Sequence, residues 1–197
     1  MNLPNKLTIA RVIMIPFVMF FYLANFIPYG IGKIVALVLF ILASLTDLLD
    51  GKIARKYNLV TNFGKFLDPI ADKLLTSAVL FMLMADGTLP HPWGVIIVTI
   101  IISREFIVSA LRLLVASNGT VLAADIWGKA KTMVQMIAIP VCMLLSFLLT
   151  PSLNVLTPVI ITFKVISYVL IGVATLLTVI SGINYLVKNK ECFKDSK

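Results

Sequence analysis

Four aspartates lie close together in an otherwise apolar chain. Asp47 and Asp50 belong to Asp47-Leu-Leu-Asp50-Gly51-Lys-Ile-Ala54-Arg55. After eight further residues come Asp68 and Asp72, in Gly64-Lys-Phe-Leu-Asp68-Pro-Ile-Ala-Asp72. Residues three or four apart share a helix face, so Asp47 and Asp50 form one stripe, continued by Ala54, and Asp68 and Asp72 form another. Carboxylates directed at one place repel one another unless cations lie between them. Hard oxygen donors suit Mg²⁺, Mn²⁺ or Ca²⁺, and the stretch offers no Cys or His for zinc. Two ions bridged by shared carboxylates would make the clamp used on phosphoryl transfers, and they would offset the cost of acids near a helix C-terminus. Gly51 and Ala54 leave the helix face bare for a large ligand. The competing reading is an ordinary rim in which the acids pair with Lys52, Arg55, Lys65 and Lys73.

The elements that must carry these acids are membrane helices. The chain of 197 residues is 60% hydrophobic and 13% charged, about half the charge of a soluble domain. Ionisable groups in such a setting read as functional by default. A span needs about 20 apolar residues, and six are expected: Leu7 to Phe26, Gly32 to Arg55, Asp68 to Ala85, Trp93 to Val115, Lys131 to Leu149, and a last one that follows a turn at Pro151 to Pro158 and ends near Val187. Asp68-Pro69 reads as an N-cap followed by proline at the first helical position. The short connection before it makes the second and third spans antiparallel neighbours, so that all four carboxylates converge. Met1 to Lys6 is expected along the membrane surface, and Lys188 to Lys197 as a solvated tail. The fold class is therefore an all-α integral membrane protein, a single domain over residues 1–197.

Charge sets the orientation. The formal net charge is +8. Lys6, Arg11, Lys52, Arg55, Lys56, Lys65, Lys73, Lys129, Lys131, Lys188, Lys190, Lys194 and Lys197 collect on one side, which the positive-inside rule makes cytoplasmic. Both termini and the aspartates then face the cytoplasm. No basic patch interleaved with aromatics is present, so no nucleic-acid partner is expected; membrane lipids are. Cys142 and Cys192 resemble neither a disulfide framework nor a metal cluster. His91, in an outer turn beside Trp93, is expected to be exposed.

The spacing D-x₂-D-G-x₂-A-R-x₈-G-x₃-D-x₃-D, over Asp47 to Asp72, resembles the signature of the CDP-alcohol phosphotransferase family, and every defined position matches. The resemblance implies a membrane-bound enzyme in which an acceptor hydroxyl displaces CMP from a CDP-linked alcohol. It further implies that Asp47, Asp50, Asp68 and Asp72 hold two Mg²⁺ or Mn²⁺ ions, and that Asp72 is also the general base. Asp47, Asp50, Gly51, Ala54, Arg55, Gly64 and Asp68 would line the CDP site. A homodimer in the cell membrane is implied as well.

Outside the signature, Asn2-Leu-Pro-Asn5-x-Leu7-Thr8-x₂-Arg11, Ser103-Arg104-Glu105 and Gly128-Lys129-x-Lys131-Thr132 resemble the members that join CDP-diacylglycerol to sn-glycerol 3-phosphate. That acceptor carries a phosphate and needs fixed cations. Arg104 and Arg112 on the fourth span and Lys129 at the start of the fifth are the candidates. Arginine matches phosphate with a planar fork, and an arginine within a span demands a reason; an internal ion pair is the alternative for Arg104. Arg104 and Arg112 stand about 80° apart on a helix, so they can border one cavity. Glu105 shares a face with Arg112 and is read as orienting it. Sister enzymes using inositol phosphate, serine or phosphatidylglycerol are the near rivals. A transporter with an acidic ion site is a remote one, disfavoured because the acids occupy one half of the chain only.

Overall fold

The computed structural model describes residues 3–24, 26–56, 62–117 and 126–188. For residues 3, 4, 48–56, 62, 63, 65, 66, 68, 113–117 and 188 only the backbone is described. The described residues form six α-helices and no strand: α1 (Leu3–Leu23), α2 (Ile31–Lys56), α3 (Asn62–Ala85), α4 (Trp93–Ser117), α5 (Ile126–Leu148) and α6 (Thr157–Lys188). Short 3₁₀ turns, Pro28–Gly30 and Pro151–Leu153, close two of the connections at the end remote from the termini. All helices but α3 are long and apolar enough to cross a membrane, which makes this a multi-pass membrane protein.

The exception is instructive. In α3 the aspartate motif occupies the first half, and only the stretch after Lys73 is uninterrupted by charge. Its 24 residues still reach about 36 Å, enough for the hydrocarbon core. The helix survives because one side of it is covered by protein: Ala71, Leu75, Val79, Leu80 and Leu83 are all buried. Leu75, Val79, Leu80 and Leu83 join Val18 of α1, Phe40 of α2, Ile101 of α4 and Ile139 and Met143 of α5 in one core. Large apolar residues such as Phe20, Val169, Leu176 and Ile183 face outward, where lipid is their solvent.

Two expectations need correction, and one needs qualifying. Asp68-Pro69 does not start α3: the helix begins at Asn62, and Pro69 lies inside it. Neighbouring helices tolerate such a proline by re-satisfying the freed backbone groups. Residues 3–6, expected as a surface segment, are the first turn of α1, with Asn5 buried. And α2 and α3, expected as antiparallel neighbours, are in contact but not broadly packed. Among the described residues they touch sparingly, while α1 packs broadly against both. The reason is local. A Cβ on Gly32 would lie 2.4 Å from the backbone oxygen of Phe21, so only glycine allows the close approach of α1 to α2 seen here. The expected tail at Lys188 to Lys197 falls almost wholly outside the described residues.

The most extensive helix pairing is α5 with α6. The buried face of α6 carries Ser167, Ala174, Thr178 and Ser181, small residues that let helices approach in lipid. The hydroxyl of Thr178 donates to Ala174 O over 2.6 Å and that of Ser181 to Thr178 O over 3.2 Å, so those two hydroxyls are satisfied within their own helix.

Candidate active site

The motif end of the bundle holds a cavity of about 520 Å³. Its charged lining comprises Asp72 and Lys73 from α3, Arg104, Glu105 and Arg112 from α4, and Lys129 from α5. Thr76, Ser109 and Thr132 add hydroxyls, and Gln135 and Tyr185 add further polar groups. Arg104, Arg112 and Lys129 were expected on one cavity, and they border the same one as Asp72.

Each position has a local cause. Asp72 heads the turn in which the Thr76 hydroxyl donates back to Asp72 O over 3.1 Å. Arg104 threads between helices at two glycines: a Cβ on Gly182 would lie 3.2 Å from its Cγ, and one on Gly128 3.6 Å from a terminal guanidinium nitrogen. The wall against α6 is thus shaped by a missing side chain. Arg112 and Lys129 are exposed at the cavity's rim.

Two ion-pair systems surround the cavity, and neither was legible as such. Arg11 of α1 is 1% exposed, and its guanidinium meets Asp47 Oδ1 at 2.6 Å. Its place among the positive-inside residues concealed this role. Lys131 is fully buried and pairs with Glu105, whose other oxygen lies 3.7 Å from Lys73 Nζ. Glu105 therefore does not serve Arg112 as expected; it ties α4 to α5 and α3. Asp47 takes Arg11 as a partner, and Lys73 takes Glu105. No sequence spacing links these residues, which lie on different helices.

Asp47 and Asp72 come within electrostatic range of each other, with Lys73, Glu105 and Arg11 also acting on Asp72. Two helices thus bring two carboxylates to one region, with a third helix supplying a buried cation. The side chains of Asp50, Gly51, Ala54, Arg55 and Asp68 lie outside the described residues, although their backbones are helical; Gly64 is buried in α3. Among the described residues no three ligating side chains gather into a metal cluster. The donor chemistry of Asp47 and Asp72, hard oxygens in mutual repulsion, fits a divalent cation of the Mg²⁺ or Mn²⁺ type.

Comparison with known proteins completes the description. The profile of the CDP-alcohol phosphatidyltransferases matches residues 1–180. A CDP-diacylglycerol–glycerol-3-phosphate 3-phosphatidyltransferase of Bacillus subtilis is 44% identical over 99% of this chain and 98% of its own. Proteins of the same description from Rickettsia felis (40%; 98% and 97%) and Haemophilus influenzae (37%; 99% and 97%) are similar over comparable lengths.

Proposed function

Since the chain belongs to the CDP-alcohol phosphatidyltransferase family, we infer that it transfers the phosphatidyl group of CDP-diacylglycerol to sn-glycerol 3-phosphate, releasing CMP. One observation carries the acceptor assignment: a single cavity is bordered by Asp72 and by Arg104, Arg112 and Lys129. An acceptor with a hydroxyl at one end and a phosphate dianion at the other matches that distribution of charge.

In this reading the primary hydroxyl of the acceptor attacks the β-phosphorus. A new P–O bond forms, the bond from that phosphorus to the bridging oxygen breaks, and CMP leaves with the electron pair. Asp72 takes the hydroxyl proton, which requires it within hydrogen-bond reach of the attacking oxygen. Arg104 and Arg112 grip the acceptor phosphate with charge-assisted hydrogen bonds, and Lys129 adds a third positive charge at the rim. Arg11 holds Asp47 in place. Asp47, Asp50, Asp68 and Asp72 would hold two divalent ions, whose charge supplies electrostatic stabilisation across the pyrophosphate. Gly51, Ala54, Arg55 and Gly64, with the acids of the motif, are assigned to the CDP moiety. The site faces the cytoplasm of a cell-membrane protein, and a homodimer belongs to the same proposal.

The test is direct. Purified protein in detergent receives CDP-diacylglycerol and radiolabelled glycerol 3-phosphate with Mg²⁺ or Mn²⁺. CMP release that needs both substrates and stops with chelator is the expected result. Faster turnover with serine or inositol phosphate would overturn the acceptor assignment while leaving the reaction class standing.

A further inference from the structure

Gln135 is a polar residue of the cavity that the chemistry above does not use. It lies on α5 one turn beyond Lys131, about 6 Å deeper along the helix axis, and is 3% exposed. It lines the same cavity as Asp72, Thr76 and Arg104. Its Oε1 has no hydrogen-bond partner among the described residues. Burying an amide oxygen without a partner is costly, so such an atom beside a polar cavity points to a ligand group. The terminal torsion of a glutamine is broad, so the amide can turn to meet one.

The neighbours narrow what that group is. The cations of the cavity are at Lys73, Arg104, Arg112 and Lys129, and they suit the phosphate. Asp72 suits the attacking hydroxyl. A neutral amide oxygen suits neither a dianion nor a proton in transfer; it suits an alcohol O–H that stays intact. We propose that Gln135 is a specificity-determining residue that accepts a hydrogen bond from the secondary hydroxyl of a phosphorylated triol acceptor, reading the carbon between the attacking hydroxyl and the phosphate. This inference rests on the acceptor assignment above.

The experiment pairs a trimmed substrate with a trimmed side chain. The acceptors are sn-glycerol 3-phosphate and 3-hydroxypropyl phosphate, which keeps the primary hydroxyl and the phosphate but lacks the secondary hydroxyl. Wild-type protein is expected to favour glycerol 3-phosphate by roughly 10-fold or more in kcat/KM, since a site built for a hydroxyl is left with an unpaired group by the analogue. In Gln135→Met the preference should fall to about 2-fold. Equal use of both acceptors by wild-type protein overturns the proposal without any variant. So does an undiminished preference in Gln135→Met, which would make the amide a packing residue. Should that variant not fold, Gln135→Asn, which withdraws the amide by one methylene, gives the same two readings. Absence of CMP release by wild-type protein with either acceptor, alongside release with serine or inositol phosphate, overturns the acceptor assignment and this inference with it. Release with both acceptors but no preference overturns this inference alone.

Discussion

The two ends of the bundle both hold partnered ionisable groups, and they do so to opposite effect. At the end remote from the motif, Asp86 is enclosed by donors. The hydroxyls of Tyr22 and Ser146 both donate to its Oδ2, that of Tyr22 over 2.6 Å. The Thr88 N–H donates to Oδ1 over 2.9 Å. Lys33 Nζ lies 3.4 Å from Oδ2 and donates to Ser146 O over 3.0 Å, and it sits over the Tyr22 ring. One carboxylate thus fastens α1, α2 and α5 to the turn after α3. At the motif end the charges are spread around a cavity, with Lys73, Arg104, Arg112 and Lys129 against Asp72 and Glu105. A saturated cluster stabilises, whereas a cavity with surplus cations has capacity left for a ligand. The first is a clasp and the second a site.

That contrast is broken most sharply at Asp72. Asp72→Asn should lower the rate of CMP release by roughly 10²- to 10⁴-fold, the usual loss with a general base, with little change in melting temperature. Loss of folding in place of loss of rate would make Asp72 part of a clasp. Glu105→Gln comes next, because it strands the buried Lys131 charge. About 3–5 kcal/mol of destabilisation is expected, read as a lowered Tm in detergent. Adding Lys131→Met should recover part of it, and absence of recovery would show that the pair does not act as one unit.

Arg112→Ala tests the surplus cations. The KM for glycerol 3-phosphate should rise roughly 10- to 100-fold, as for a lost hydrogen bond to a charged group, and that for CDP-diacylglycerol much less. Equal rises would move Arg112 out of the acceptor pocket. The smallest effect belongs to the clasp. Burial raises the affinity of Asp86 for a proton, but hydrogen bonds from Ser146, Tyr22 and Thr88 outweigh it and hold the carboxyl below its ordinary range. A depressed folded-state value means stability present above the unfolded value and lost as pH falls through the folded one. Tm should therefore drop on acidification below about pH 4, and Asp86→Asn should flatten that drop at a cost of about 1–3 kcal/mol near neutral pH. An unchanged acid limb would mean that Asp86 is not its source.

The turn chemistry shows where local reading stops. Asp68-Pro69 has the local form of a helix start, yet α3 begins at Asn62, because packing against neighbouring helices decides which proline a helix can carry. Glu105 and Arg112 share a helical face, yet Glu105 turns to Lys131 and Lys73, because a fully buried lysine has the stronger claim on a carboxylate. Asp86 sits in the turn after α3. Its partners at positions 22, 33 and 146 are separated by long stretches of apolar sequence that carry no register between them.

What the sequence alone determined was local or compositional: the apolar runs, the basic side, the regular spacing of the aspartates, and arginines too costly in a span to be idle. Those follow from helix periodicity and from the price of charge in lipid, which any short window of residues expresses. What only the tertiary structure decided was partnership. It set Arg11 against Asp47, gathered Arg104, Arg112 and Lys129 on the cavity of Asp72, and left Gln135 Oε1 beside it. Helix-to-helix contacts depend on small residues such as Gly32 and Gly182 that set how closely distant segments approach, and no pattern along the chain encodes that distance.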